Sequence, residues 1–117
     1  MPISEFEKRR FEKILKEFIE KKGPPAHLHD QLKWVYQIDP EKQAVVLMEV
    51  RPHFQDKDLT IESPFAKAKY VKAQKVWKVY WMRASGKWFS YEPFPLARTL
   101  EEFLGVVKED EYRCFLG

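Results

Sequence analysis

Residues 66–92 read AKAKYVKAQKVWKVYWMRASGKWFSYE, and this stretch decides the fold. Ala66, Lys67, Ala68, Lys69 and Tyr70 alternate small or apolar with charged, and Trp77, Lys78 and Val79 repeat the pattern. A period of two residues is that of a half-buried β-strand. A two-residue turn at Ala73-Gln74 pairs Tyr70 with Trp77, Ala68 with Val79, Lys69 with Lys78 and Lys67 with Tyr80. Ser85-Gly86 is a second hairpin turn, leading into residues 87–92. It pairs Tyr80 with Tyr91, Met82 with Phe89, and Arg83 with Trp88, the last pair set for a cation–π contact. Strands joined by such short turns form an antiparallel meander.

Upstream, Leu32, Trp34, Tyr36 and Ile38 alternate with Gln31, Lys33 and Gln37, and residues 44–51 form a partner strand. A five-residue loop, 39–43, sets Trp34 opposite Met48, Leu32 opposite Val50 and Lys33 opposite Glu49. Residues 52–64 read as a long polar connection with a proline at each end. At the N-terminus, Ser4 and Glu7 have the spacing of a capping box. Phe11, Ile14, Leu15, Phe18 and Ile19 recur at helical spacing, and Gly23-Pro24-Pro25 stops the helix, with Gly23 suited to a left-handed cap. Downstream, Pro93 and Pro95 end the sheet, and Thr99 with Glu102 caps a second helix whose stripe is Leu100, Phe103, Leu104 and Val107.

The expected architecture is α+β in the order α-β-β-β-β-β-α, one domain over residues 1–117. It has an N-terminal helix in 1–23, an antiparallel sheet of about five strands in 31–92, a C-terminal helix in 99–109 and a tail, 110–117, aromatic enough to dock back. The expected core is Phe11, Leu15, Phe18, Trp34, Tyr36, Val46, Met48, Val50, Tyr70, Trp77, Val79, Trp81, Leu100, Phe103 and Leu104. That leaves Val35, Val45, Leu47, Met82 and Phe89 on the second face, beside its charges.

Composition bounds the function. A chain of 117 residues with 44% hydrophobic and 33% charged side chains is a globular domain. The single cysteine, Cys114, excludes an internal disulfide framework and a four-cysteine zinc site. The charged N-terminal stretch lacks the apolar run of an export signal, and no segment approaches a membrane span, so a cytoplasmic protein with no membrane partner is expected.

Charge is unevenly placed. Residues 63–91 contain no Asp or Glu but carry Lys67, Lys69, Lys72, Lys75, Lys78, Arg83 and Lys87, with eight aromatic side chains among them. Cations interleaved with aromatics are the composition of a surface that binds single-stranded nucleic acid. The register puts Lys67, Lys69, Lys78, Tyr80 and Tyr91 on one face, with Arg51 and Lys33 joining from the first hairpin. The candidate polyanion-binding residues are therefore Arg51, Lys67, Lys69, Lys78, Tyr80 and Tyr91, and the partner expected is RNA or single-stranded DNA. The second expectation is a protein partner or a homodimer formed through exposed aromatics or an unpaired edge strand. An enzyme of unassigned reaction ranks third.

The catalytic and metal patterns are weak. Asp39 with Glu49-Val50-Arg51 has the flavour of a Mg²⁺ nuclease core, but Arg stands where Lys belongs. His27, His29, Asp30, His53 and Cys114 form a metal site only if the fold gathers them. Cys114 has no histidine near it in sequence to activate it. Neither a glycine-rich phosphate loop nor any cofactor motif is present, so no catalytic residue, metal ligand or cofactor is assigned.

Beside this reading stands a resemblance. Glu49-Val50-Arg51-Pro52, Pro64 with Ala66-Lys67, Tyr70, Trp77, Tyr80-Trp81-Met82-Arg83, Lys87-Trp88, Tyr91 and the ending Cys114-Phe115-Leu116-Gly117 resemble a bacterial family known as domain of unknown function 3024. The N-terminal helix and Gly23-Pro24-Pro25 are similar too, so the likeness covers nearly the whole chain. It implies a small, stand-alone bacterial protein, and it carries no catalytic residue across.

Overall fold

A computed structural model of the chain describes residues 4–53, 55, 56, 58–83 and 85–109. The tail 110–117, with Cys114 and its expected docking, lies outside the described residues. The elements are α1 (Glu5–Lys22), a 3-10 turn (Ala26–Leu28), β1 (Lys33–Asp39), β2 (Ala44–Pro52), β3 (Thr60–Val71), β4 (Val76–Met82), β5 (Trp88–Ser90), β6 (Leu96–Ala97) and α2 (Leu100–Glu109). The sheet is an antiparallel meander in the order β1-β2-β3-β4-β5, with β6 also paired to β4. The α+β architecture is the one expected.

The capping box at Ser4 and Glu7 forms in full, whereas at Thr99 one half forms, the Glu102 carboxylate accepting from the Arg98 amide in place of the Thr99 amide. Ser4 Oγ accepts from the Glu7 amide at 3.2 Å, and the Glu7 carboxylate accepts from the Ser4 amide. Thr99 Oγ1 accepts from the Glu102 amide at 3.0 Å. Gly23 ends α1 differently from expectation. It is extended, with φ −79° and ψ 179°, because the residue before a proline is pushed out of the helical region. Glycine is needed there for space: a Cβ would lie 2.6 Å from the Ile19 carbonyl oxygen and 3.3 Å from the Trp34 ring.

Both helices lie on one face of the sheet. Phe11 meets Trp77 edge-on at 5.2 Å between ring centroids, and Phe18 stacks on Trp34 at 6.2 Å. From α2, Leu100, Phe103, Leu104 and Val107 join Leu15 in a single cluster with Val45, Leu47, Ala66, Ala68 and Val79. Phe103, Leu15, Leu47, Leu100, Val45, Val79 and Val107 are the largest fully buried side chains. Among the described residues no helix packs against the opposite sheet face, called the open face below.

The β3–β4 register is the expected one, with Tyr70 opposite Trp77, Ala68 opposite Val79, Lys69 opposite Lys78 and Lys67 opposite Tyr80. Its turn is longer than expected. Val71 and Val76 still pair, and Lys75 closes the turn with φ 55°.

The other two hairpins are each displaced by one residue. In β1–β2, Asp39 pairs with Ala44, so the loop is 40–43 and closes on Gln43 with φ 54°. Trp34 therefore faces Glu49, not Met48, and Lys33 faces Val50. A one-residue slip moves every side chain of a strand to the other face. Val45 and Leu47 enter the core, while Val46, Met48 and Val50 sit half-buried on the open face. In β4–β5, Tyr80 pairs with Ser90, Trp81 with Phe89 and Met82 with Trp88, and Gly86 in the connection has φ 82°. Tyr91 is consequently a core residue, 2% exposed. The expected Arg83–Trp88 contact is replaced: the Arg83 guanidinium lies 4.6 Å from the Phe89 centroid and 5.6 Å from that of Trp81.

Two proline expectations also change. The last five residues of the supposed connection 52–64 are strand, since β3 begins at Thr60. Pro64 fits because β3 has only β2 as a neighbour there, and a bulge next to it removes Phe65 from the ladder. The bulge lets both Phe65 and Ala66 face the core. Pro93 and Pro95 bend the edge strand without ending the sheet: the Pro95 carbonyl accepts from the Val79 amide at 2.9 Å, and β6 continues along β4.

Candidate functional site

Register and pleat decide which side chains share the open face. One row across the sheet runs Asp39, Ala44, Lys69, Lys78 and Leu96. The next runs Gln37, Val46, Lys67, Tyr80 and Ser90. Lys67, Lys69, Lys78 and Tyr80 are therefore four adjoining positions on two strands. Beyond them, Met82 and Trp88 pair on the same face.

Lys67 lies at the centre. Its Nζ is 5.6 Å from the Tyr80 ring centroid and 5.8 Å from that of Trp88, so two aromatic rings flank one ammonium. Burial against these neighbours holds its pKa below the ordinary lysine range; Lys69 and Lys42 push the same way, and Asp39 opposes them. Lys42 belongs to the β1–β2 turn, where its amide donates to Asp39 Oδ1 at 3.1 Å. Among the described residues the one ion pair is Arg51 with Glu49, which leaves Lys67, Lys69 and Lys78 without a carboxylate partner.

Two expected members are elsewhere. Arg51 shares the helix-side face with Glu49, two residues before it on β2, and is paired to it. Tyr91 is in the core. Lys33 does share the open face, at its far end opposite Val50. Trp88 and Lys42 were missed by sequence reasoning. Trp88 was hidden by the one-residue error in the β4–β5 turn, and Lys42 by its place in a loop.

The other candidates are dispersed by the fold. Asp39 is on the open face and Glu49 on the helix side, so the two carboxylates cannot share a cation. The His29 ring nitrogen Nε2 donates to the Pro24 carbonyl at 3.0 Å, and His53 Nδ1 accepts from the Gln55 and Asp56 amides. Among the described residues no three His, Cys, Asp or Glu side chains are grouped to hold a metal. No helix among them is long and apolar enough to cross a membrane.

The family model described as domain of unknown function (DUF3024) matches residues 3–117, essentially the whole chain. No curated protein and no solved structure matches it.

Proposed function

This chain belongs to the DUF3024 family, and on that footing we propose that it is a non-catalytic binding module whose open sheet face takes a polyanion, RNA or single-stranded DNA. The observation that carries the reading is the in-register pair Lys69–Lys78 beside Lys67, with no carboxylate among the described residues paired to any of the three. Like charges directly opposite each other on neighbouring strands oppose folding, and a bound phosphate between them removes that cost. Tyr80 and Trp88 supply rings beside the cations. Base stacking on such rings contributes about 1–3 kcal/mol per base, so the composition favours a strand with free bases over a duplex.

The test is a titration with short RNA and single-stranded DNA at low salt, followed by tryptophan fluorescence. The reading expects saturable quenching that is lost in the Lys69→Glu/Lys78→Glu variant. A flat titration at low salt rejects it.

The second reading, self-association, is favoured by a different observation: among the described residues β1 is an edge strand with no partner on its outer side, and its charges are self-complementary.

A further inference from the structure

The geometry points to a homodimer in which β1 of one copy pairs antiparallel with β1 of a second copy, centred on Tyr36. Among the described residues, β1 bonds in the sheet to β2 alone, so its outer edge offers backbone groups that no described strand pairs. The strand is seven residues, KWVYQID, with neither Pro nor Gly, and its register to β2 has no bulge. Edges kept apart from one another usually carry such interruptions or an inward-pointing charge. Here the inward side chains are Trp34, Tyr36 and Ile38, all packed against the core.

The occupant is specified by charge. Antiparallel pairing about Tyr36 places Lys33 opposite the second copy's Asp39, twice per dimer, on the open face. Val35 then faces Gln37, Trp34 faces Ile38, and the two Tyr36 rings meet on the helix side. A shift of one residue puts the two copies' helices on opposite faces, and a shift of two loses both Lys–Asp pairs. Beside this edge, Ile19, Trp34 and Tyr36 line a groove of about 280 Å³, rimmed by Lys16 and Glu20 of α1, which receives the partner's side chains. The product is one continuous sheet with all four helices on one side and two basic faces on the other. This inference rests on the self-association reading and not on the polyanion reading, because it uses the β1 edge and not the Lys67–Lys69–Lys78 cluster on β3 and β4.

The test is sedimentation over a concentration range of roughly 1 µM to 1 mM, where weak dimers populate. Wild-type protein is expected to pass from monomer to dimer. Lys33→Asp and Asp39→Lys each put like charges opposite each other and are expected to raise the dissociation constant by about tenfold. An equimolar mixture of these two variants is expected to restore wild-type affinity as a mixed dimer, since each reversed side chain then meets an opposite charge. Within one copy the two positions are six residues apart on an extended strand, about 20 Å, so the rescue reports only contact between copies. Thermal melts of both variants verify the fold, and Lys33→Asp alone suffices if Asp39→Lys damages the turn. A wild-type monomer throughout, a dimer indifferent to Lys33→Asp, or a mixture no tighter than its components overturns the inference.

Discussion

Lys69 and Lys78 stand directly opposite each other on β3 and β4, on the sheet face that neither helix covers. This arrangement opposes folding in the free protein and favours an anion. Stability and binding should therefore move in opposite directions. Lys69→Glu replaces a repulsive cross-strand pair by an attractive one and is expected to stabilise the fold by about 0.2–1 kcal/mol. The same change is expected to weaken RNA binding. Urea unfolding and fluorescence titration on one preparation check both signs.

Lys67 should leave a pH signature. Burial first, then Lys69 and Lys42, lower its pKa, so the folded state holds that proton more weakly than the unfolded chain does. At neutral pH both states are protonated and the charged form carries the full cost. The cost fades as pH rises through the lowered value towards the ordinary lysine range. Lys67→Met is expected to melt above wild type at pH 7, with a gap that narrows as pH approaches about 10.4. A gap constant with pH contradicts this.

The two faces of β2 give a stability contrast. Leu47 is fully buried between the helices and the sheet, and its neighbour Met48 is half-buried on the open face. Leu47→Ala is expected to cost about 2–5 kcal/mol. Met48→Ala is expected to cost about 1 kcal/mol or less. Chemical denaturation of both variants would expose a wrong β1–β2 register, which reverses their order.

Two glycines predict opposite signs. A Cβ at Gly105 meets nothing within 4 Å, so Gly105→Ala in the exposed face of α2 is expected to stabilise by about 0.5–1 kcal/mol. A Cβ at Gly23 collides with helix backbone, so Gly23→Ala is expected to destabilise by about 1–3 kcal/mol. Melting temperatures of the pair decide it.

These contrasts also show what the sequence made legible. The order of elements, the helix starts at Ser4 and Thr99 and the β3–β4 register were readable, the last because Lys67-Ala68-Lys69 and Trp77-Lys78-Val79 alternate in only one sensible way. Residues 44–48, AVVLM, are apolar at every position, so periodicity could not choose a face. Turn length then decided it, and Gln43 in a left-handed conformation is not signalled by its residue type. Gly86 is likewise left-handed in a connection whose pairing differs by one residue from that of the two-residue turn Ser85-Gly86 suggested. Of the six candidate site residues, Lys67, Lys69, Lys78 and Tyr80 come together because they depend only on the legible hairpin. Tyr91 was lost with the β4–β5 turn, and Arg51 with the β1–β2 register.

The most direct test of the central claim is the salt dependence of binding to a short single-stranded RNA. If Lys67, Lys69 and Lys78 each neutralise one phosphate, log K should fall against log salt with a slope of about −2, since each contact on a single strand contributes about −0.7. The Lys69→Glu/Lys78→Glu variant should lose most of both the slope and the affinity. Binding with no salt slope, or with a slope that this variant leaves intact, would contradict the account.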